Sequence, residues 1–301
     1  MDGQAKKNNY KREGNRSFHI FNYIFLGLIF LLVAYPIYFV LIASISHPSA
    51  VGTGQVLLLP KQLTIEGYKA VFLDDSIMTG YKNSLIYTVT GVLFSVVTTV
   101  LAAYSLSRRD MPGRKTLMML IVFTMYFGGG MIPTYIVVNN LKLTNTMWSL
   151  ILPTLIVPYN LIVARTFFET SIPSELRESA YLDGCTEFRF FTDIALPLSK
   201  AIVAILVLFY GVSQWNTYFN AMIYIRRQEM YPLQLVLRNI LIENQVSQEM
   251  MQDAKQAAAQ MERAGLIKYV SIIVSAAPLM ILYPFIQKYF VKGVLIGSVK
   301  G

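Results

Sequence analysis

Charge is what this sequence most conspicuously lacks. Of its 301 residues, 14% are Asp, Glu, Lys or Arg and 54% are apolar, whereas a soluble domain has roughly 25% charged residues. The apolar residues are gathered into blocks of about 20, the length at which a helix crosses the ~30 Å hydrocarbon core of a bilayer. Six blocks lie at 20–45, 84–106, 117–138, 147–164, 201–225 and 269–286. The sequence therefore predicts an all-α polytopic membrane protein with six transmembrane helices.

Further absences exclude most kinds of chemistry. Cys185 is the only cysteine, which rules out an intrachain disulfide, and the only histidines, His19 and His47, lie at opposite ends of the first block. A histidine-based metal site or acid–base centre is therefore not expected. No charged residue lies in the core of any block, which disfavours a carrier driven by protons or ions.

The sequence also contains no Gly-x-x-x-x-Gly-Lys-Ser/Thr phosphate-binding loop. The glycine run 128–130 has no lysine, and it favours close helix packing or a bend. We therefore expect a channel-forming subunit that is not an enzyme, has no metal or cofactor of its own, and takes its energy from another protein.

The basic residues predict the orientation. Five Lys or Arg residues precede the first block, and four more lie between 108 and 115. Because cytoplasmic loops are rich in Lys and Arg, both regions are expected inside the cell, together with the C-terminal tail. Arg226 and Arg227 disagree, because they follow the fifth block on the expected outer side. The first block could instead be a signal peptide, but it is longer than the 7–15 apolar residues of such a segment.

The expected organisation follows from these assignments. Residues 1–19 and 291–301 are cytoplasmic tails, and 20–290 form the transmembrane domain of a multi-pass plasma-membrane protein. The external stretch from 46 to 83 is expected to be a loop with at most short helices, because it is rich in Pro and Gly.

The connection near Lys142 is also expected outside, and a third external loop is expected at 226–268. Its apolar residues recur at helical spacing after Pro232, which predicts an amphipathic helix on the outer surface. These residues are Leu233, Val236, Leu237, Ile240 and Leu241. A mostly polar helical pattern follows and is expected to stop at Gly265. The loop could be a solvated hairpin, a contact surface for an external partner, or both.

One polar stretch, 171–200, interrupts the blocks on the expected cytoplasmic side. Pro173 and Glu175 favour a helix start, Gly184 a stop, and Thr186 the start of a second helix. The stretch could be an amphipathic elbow resting on the bilayer or a docking surface for another protein.

Two surface features of this stretch follow from its spacing. Ala180 and Gly184 lie four residues apart, which predicts a smooth patch that another helix can approach. An apolar face is predicted at i, i+3 and i+6 by Phe188, Phe191 and Ile194.

This stretch resembles the EAA loop of permease subunits in type I ABC importers. Matching positions are Glu178, Ala180, Gly184, Ile194, Leu196 and Pro197, with Ser179 replacing the usual first alanine. Flanking stretches resemble the carbohydrate branch of that family, of the maltose-permease G and LplC/YtcP types, at 127–134, 215–218, 231–233 and 289–293. We refer to residues 171–200 as the coupling segment.

The resemblance implies a permease fold, a function and a set of partners. The chain would be the permease of a bacterial ATP-driven importer of oligosaccharides or polysaccharide fragments. It would pair with a second homologous permease, a cytoplasmic ATPase dimer that holds ATP and Mg²⁺, and an extracytoplasmic sugar-binding protein. The ATPase would grip the coupling segment and drive alternating access. The residues implied in that contact are Glu178, Ser179, Ala180, Asp183, Gly184, Ile194, Leu196 and Pro197.

Sugar sites combine aromatic faces with amide groups, and such groups are costly at membrane depth unless they are used. The candidates for a substrate path are Tyr126, Asn160, Gln214, Trp215, Asn216 and Asn220. Each could equally bond a neighbouring helix or lie at the membrane interface. No basic residue in the six blocks supports an acidic sugar, and the sequence does not identify the saccharide.

Two other functions remain open at this point. A membrane-embedded glycosyltransferase-like enzyme would need acidic metal-binding pairs beside the membrane. The only adjacent acidic pair is Asp74–Asp75, which is expected outside. A non-transporting membrane scaffold is the other alternative.

Overall fold

The computed structural model describes residues 16–250, 264–284 and 287, with side chains for 18–242, 264–284 and 287. The basic tail before Arg16, the polar pattern at 251–263 and the tail at 291–301 lie outside the described residues. The described chain is helical, and its only β-pairing is an isolated bridge between Ser46 and Leu63.

Three helices are long and apolar enough to cross a bilayer unbroken. They are α1 (Arg16–Ser44), α4 (Asp75–Ser107) and α15 (Ala264–Pro284). Between α1 and α4 lie two short helices, α2 (Pro48–Gly52) and α3 (Glu66–Leu73), as predicted for that loop. α4 begins about nine residues before the predicted block, because Asp74 caps it by accepting hydrogen bonds from the amides of Ser76 and Ile77.

The third block, 117–138, is not a single helix. It forms α5 (Arg114–Tyr126) and α6 (Met131–Asn140), which are bent by 116°. The break is the glycine run, where Gly130 has φ +85°, a conformation that side chains other than glycine rarely adopt. This confirms the predicted bend: the block is a bent pair of helices, not one continuous helix.

The fourth block also consists of two pieces. Helix α7 (Trp148–Ile151) and a 3₁₀ turn (Leu152–Thr154) are bent by 52° from α8 (Pro158–Ser171). Pro158 begins α8, and the free amide of Val157 donates to the Tyr210 hydroxyl at 3.1 Å. A partner from another span therefore satisfies the broken backbone, as a membrane interior requires.

The coupling segment forms α9 (Ser174–Leu182), α10 (Glu187–Phe190), a π-helical turn (Phe191–Ala195) and α11 (Leu196–Leu198). The fifth block follows as α12 (Lys200–Trp215) and α13 (Phe219–Tyr224). The helix of this block is interrupted at 216–218. Three bent pairs occur: α5 with α6, Trp148–Thr154 with α8, and Glu187–Leu198 with α12. With each pair counted as one span, the described residues contain up to six candidate spans, in agreement with the predicted number.

The core lies where α4, α8 and α12 meet. α4 contributes Val100 and Ala103, α8 contributes Ala164 and Phe168, and α12 contributes Leu206, all at most 4% exposed. A buried hydrogen bond of 2.7 Å joins the hydroxyl groups of Thr99 and Tyr210 within this core. α4 is therefore the central element of the fold.

The predicted amphipathic helix is α14 (Leu233–Met250). It packs on the first turns of α4, where a Cβ added to Gly80 would lie 3.0 Å from Val236 and 3.1 Å from the Leu233 Cα. The Leu233 amide donates to Ser84 Oγ at 2.8 Å. The helix is thus fixed to one end of α4.

The prediction that Gly265 ends a helix was wrong. Gly265 lies within the described helical residues of α15, and a Cβ there would lie 2.8 Å from Pro48 Cβ. Its missing side chain allows α15 to approach α2 closely, which sequence spacing alone could not show.

Candidate functional site

The coupling segment folds into a short helical hairpin beside the end of α4 that carries Arg108. α9 follows Pro173 and stops at Asp183, and Gly184, at φ +76°, turns the chain. Thr186 Oγ1 then caps α10 by accepting from the Arg189 amide at 3.4 Å. The stretch Glu187–Leu198 meets α12 at an angle of 77°. The predicted helix starts and the predicted stop are confirmed.

The two sides of this hairpin differ in character. Its inner side is an apolar cluster in which Phe190 and Ala195 are fully buried and Ala180 is 8% exposed. Its outer side exposes Leu182 (89%) and Phe188 (75%). Neither residue is part of the predicted contact. Of the residues that are, Glu178, Ser179, Asp183, Gly184 and Pro197 are exposed, whereas Ile194 and Leu196 are half-buried.

Two predicted surface features are absent from this hairpin. Ala180 faces the cluster under α9, so it forms no smooth outward patch with Gly184. The predicted face of Phe188, Phe191 and Ile194 is also wrong, because Phe188 points outward and Phe191 is half-buried. The π-helical turn at 191–195 adds a residue to one turn, which breaks the i, i+3, i+6 register.

A network of polar side chains clamps the hairpin to α4. Arg108, just after α4, forms ion pairs with Asp110 at 2.7 Å and with Glu187 of α10. Arg177 of α9 pairs with the same Asp110 at 3.3 Å. The Tyr181 hydroxyl donates to Glu187. We call these five residues the clamp. Three of them, Arg108, Asp110 and Arg177, line a cavity of about 460 Å³ between the hairpin, α4 and α8.

The clamp is electrostatically matched. The hydrogen bonds from Arg108 hold the pKa of Asp110 well below its usual range and raise the pKa of the guanidinium. A second pair of contacts ties neighbouring elements, because Glu169 of α8 accepts from Arg114 of α5 and from Arg165, both at 2.7 Å. No group of three His, Cys, Asp or Glu side chains in the described part of the chain could hold a metal ion.

Two of the residues predicted for a substrate path bind neighbouring helices. Gln214 is 6% exposed, lies against Gly91 of α4 and donates to Thr154 Oγ1 at 3.2 Å. Trp215 is 2% exposed, and its Nε1 donates to the Ser275 carbonyl of α15 at 2.8 Å.

The other path residues lie on three helices and in the connection between α12 and α13. Tyr126 is at the end of α5 and 77% exposed, and Asn160 is buried in α8. Asn216 is exposed and donates to the Val212 carbonyl at 2.8 Å, and Asn220 of α13 is half-buried.

Comparison with known proteins identifies the family. Residues 76–296, which include α4 and the whole coupling segment, match the family of the binding-protein-dependent transport system inner membrane component. The chain belongs to this family. It is therefore a multi-pass inner-membrane permease subunit and not an enzyme, which removes the glycosyltransferase and scaffold alternatives.

Two curated relatives of the permease come from Bacillus subtilis strain 168. The polygalacturonan/rhamnogalacturonan transport system permease protein YtcP is 42% identical, over 95% of this chain and 99% of its own length. The protein LplC is 39% identical, over 97% and 98%.

A solved structure matches nearly the whole permease. It is a bacterial ABC transporter involved in importing the acidic polysaccharide alginate, with 31% identity and a TM-score of 0.81, covering 96% of this chain and 100% of that chain. The type I importer permease fold implied by the resemblance is therefore confirmed.

Sequence reasoning missed the clamp of this permease. In the sequence, Arg108 is recognisable only as one of the basic residues that predict a cytoplasmic loop. Its partner Glu187 is 79 residues away. Only the packing of α10 against the end of α4 brings these charges together, so no signal within a single sequence could have revealed the pair.

Proposed function

We propose that this permease forms the membrane pathway of an ATP-driven importer of oligosaccharides or polysaccharide fragments. Its partners would be a second homologous permease, a cytoplasmic ATPase dimer that holds ATP and Mg²⁺, and an extracytoplasmic sugar-binding protein. Support comes from the relative that transports polygalacturonan or rhamnogalacturonan and from the alginate transporter. Polygalacturonan and alginate are both built from sugars that carry carboxylates.

The observation that carries the mechanism is the two-sided coupling segment. Its outer side presents Glu178 beside the exposed apolar side chains of Leu182 and Phe188, as a docking surface requires. Its inner side is clamped to α4, the central element of the core. A force that the ATPase applies to α9 would therefore move α4 and the helices packed on it as a unit.

The orientation belongs to the same proposal. The coupling segment and both termini face the cytoplasm, as the basic residues near α4 and the N-terminus favour. The loop that contains α14 faces outward, toward the sugar-binding protein.

The substrate path is proposed along the members of the candidate set that are exposed or half-buried. Tyr126, Asn216 and Asn220 retain accessible surface for a passing sugar. Gln214 and Trp215 would position the end of α12 through their bonds to Thr154 and Ser275. Asn160 would contribute only if α8 shifts during the transport cycle, because it is 6% exposed.

Replacing Glu178 with Gln tests the coupling. We expect ATP hydrolysis stimulated by the binding protein to fall about tenfold in the reconstituted transporter, as expected for losing one charge-assisted hydrogen bond of ~1.5 kcal/mol at the docking surface. The matched control is Glu175→Gln, which removes another exposed carboxylate one turn earlier on α9 and should leave stimulation unchanged.

The result separates docking from general damage. If Glu178→Gln retains full stimulation and sugar uptake, or if Glu175→Gln loses as much, the coupling role of Glu178 is wrong. Uptake of radiolabelled oligosaccharide, measured on the same vesicles, tests the transport proposal itself.

A further inference from the structure

A groove of about 430 Å³ lies between α14 and α15. Gln234 and Arg238 line it from one face of α14, at i and i+4, and Ser271 and Ser275 line it from one face of α15 at the same spacing. Tyr218, in the connection between α12 and α13, also lines the groove. The groove therefore combines one cation, an amide, hydroxyl groups and an aromatic ring.

The groove lies at the opposite end of α4 from the clamp. α14 packs on Ile77 and Gly80, in the first two turns of α4, whereas Arg108 follows its last turn. A 33-residue helix is about 50 Å long. In the proposed importer this end receives the sugar from the binding protein.

The walls of the groove are held in place before any ligand arrives. Leu237 of α14 packs with Val270 and Val274 of α15 in a cluster whose members are at most 9% exposed. Trp215 belongs to the same cluster and is bonded to the Ser275 carbonyl. Such preorganisation lowers the ordering cost of binding a flexible sugar chain.

Arg238 is the unusual member of this groove. It is half-buried, and within the described residues no carboxylate forms an ion pair with it. A guanidinium against largely apolar walls favours an anion, and its planar fork matches a carboxylate. Nearby, Ser271 Oγ is buried and has no hydrogen-bond partner in the described part of the chain.

We infer that this groove binds a uronic-acid unit of the incoming oligosaccharide and that Arg238 selects for its carboxylate. The ring of Tyr218, which is 43% exposed, offers an aromatic face to the sugar. The inference rests on the proposed function and narrows it from oligosaccharides in general to acidic ones. Arg238 lies outside the six apolar blocks, so the lack of basic residues in the spans does not argue against it.

Arg238→Gln tests the inference, because it removes the charge and keeps hydrogen-bonding groups. The probes are trigalacturonate and its trimethyl ester, which differ in charge. Binding of each to the purified complex of both permeases and the ATPase is measured by calorimetry without the binding protein. We expect the Kd for trigalacturonate to rise about tenfold, the equivalent of ~1.4 kcal/mol, and the weaker Kd for the ester to be unchanged.

The matched control is Arg227→Gln. Arg227 is an exposed cation that does not line the groove, so its replacement should alter neither Kd. The inference is overturned if Arg238→Gln leaves the Kd for trigalacturonate unchanged, if the wild type binds both probes equally, or if it binds neither.

Two further measurements, the affinity of the binding protein for the complex and the uptake of oligosaccharides, separate a sugar site from a protein contact and from a failure of the proposed function. If Arg238→Gln weakens the binding protein's affinity for the complex whichever sugar is present, the groove is a protein contact and the inference is wrong. If reconstituted vesicles take up neither charged nor neutral oligosaccharides, the proposed function itself fails. Uptake that is normal but insensitive to Arg238→Gln overturns only the role of the groove.

Discussion

At the scale of single residues, Gly184 shows why a glycine is needed at the tip of the coupling hairpin. No atom lies within 4 Å of the position that a Cβ would occupy, so space does not demand glycine. The backbone does, because φ is +76° between α9 and α10. The requirement for glycine at this position therefore has a conformational rather than a steric cause.

Gly184→Ala should cost about 1 kcal/mol, because the left-handed conformation is unfavourable for residues with a Cβ. We expect the angle between α9 and α10 to relax and sugar-stimulated ATP hydrolysis to fall severalfold. Gly184→Asn should recover much of the activity, since asparagine tolerates positive φ.

Gly27→Ala is the control for this pair. Gly27 lies in α1, where a Cβ would also meet no atom within 4 Å and φ is not positive. Its replacement should be neutral in thermal unfolding and in ATP hydrolysis. Equal effects at Gly27 and Gly184 would contradict the conformational explanation.

At the scale of elements, the clamp explains how a short hairpin can act on a long helix. α9 and α10 together hold only a small apolar cluster, which alone would be a weak attachment. Arg108 adds contacts from the end of α4 to Glu187, to Asp110 and, through Asp110, to Arg177. Such networks hold better than isolated surface pairs because several charges share one geometry.

Arg108→Ala should loosen the hairpin from α4. We expect ATP hydrolysis to continue at its basal rate while sugar uptake per ATP falls severalfold, because the ATPase would still dock but move α4 less. Arg109→Ala is the matched control: Arg109 is exposed, and no ion pair of its side chain occurs in the described residues. An equal loss in both variants would contradict the clamp.

The contribution of the clamp to stability depends on pH in a direction that the pKa of Asp110 determines. The pKa of Asp110 is lowered by Arg108, so the stabilisation is fully present above the ordinary carboxyl pKa of about 4. It is lost only as the pH falls through the lowered value. The difference in sugar uptake per ATP between the wild type and Arg108→Ala should therefore be the same at about pH 5.5 and pH 8.

At the scale of the whole molecule, α4 joins two polar ends with different tasks. One end meets the coupling hairpin through Arg108, and the other supports α14 and the groove with Arg238. This arrangement requires the two ends to lie on opposite sides of the membrane.

Cysteine labelling tests that orientation, and a single native cysteine makes it simple. In a Cys185→Ser background, Leu182→Cys on the exposed tip of α9 should react with a membrane-impermeant maleimide only in inside-out vesicles. Arg227→Cys should react only in intact cells. Labelling of both from the same side would contradict the assigned orientation. It would indicate instead that Arg226 and Arg227 lie on the cytoplasmic side, where basic residues are ordinarily found.

Local chemistry alone determined the class of protein, the six apolar blocks and the starts and stop of the coupling hairpin. These depend on hydropathy, on proline and glycine backbones and on capping side chains, which act within a few residues. Resemblance then located the coupling segment, because its motif is contiguous in sequence.

The tertiary structure alone decided where the spans break, which way Ala180 and Phe188 face, and which charges meet. The Arg108–Glu187 pair joins elements that are 79 residues apart, and the groove around Arg238 brings residues of three separate elements together. Such contacts arise only when α10 packs on α4 and α14 packs beside α15. Their energies depend on burial and distance, which a single sequence does not contain.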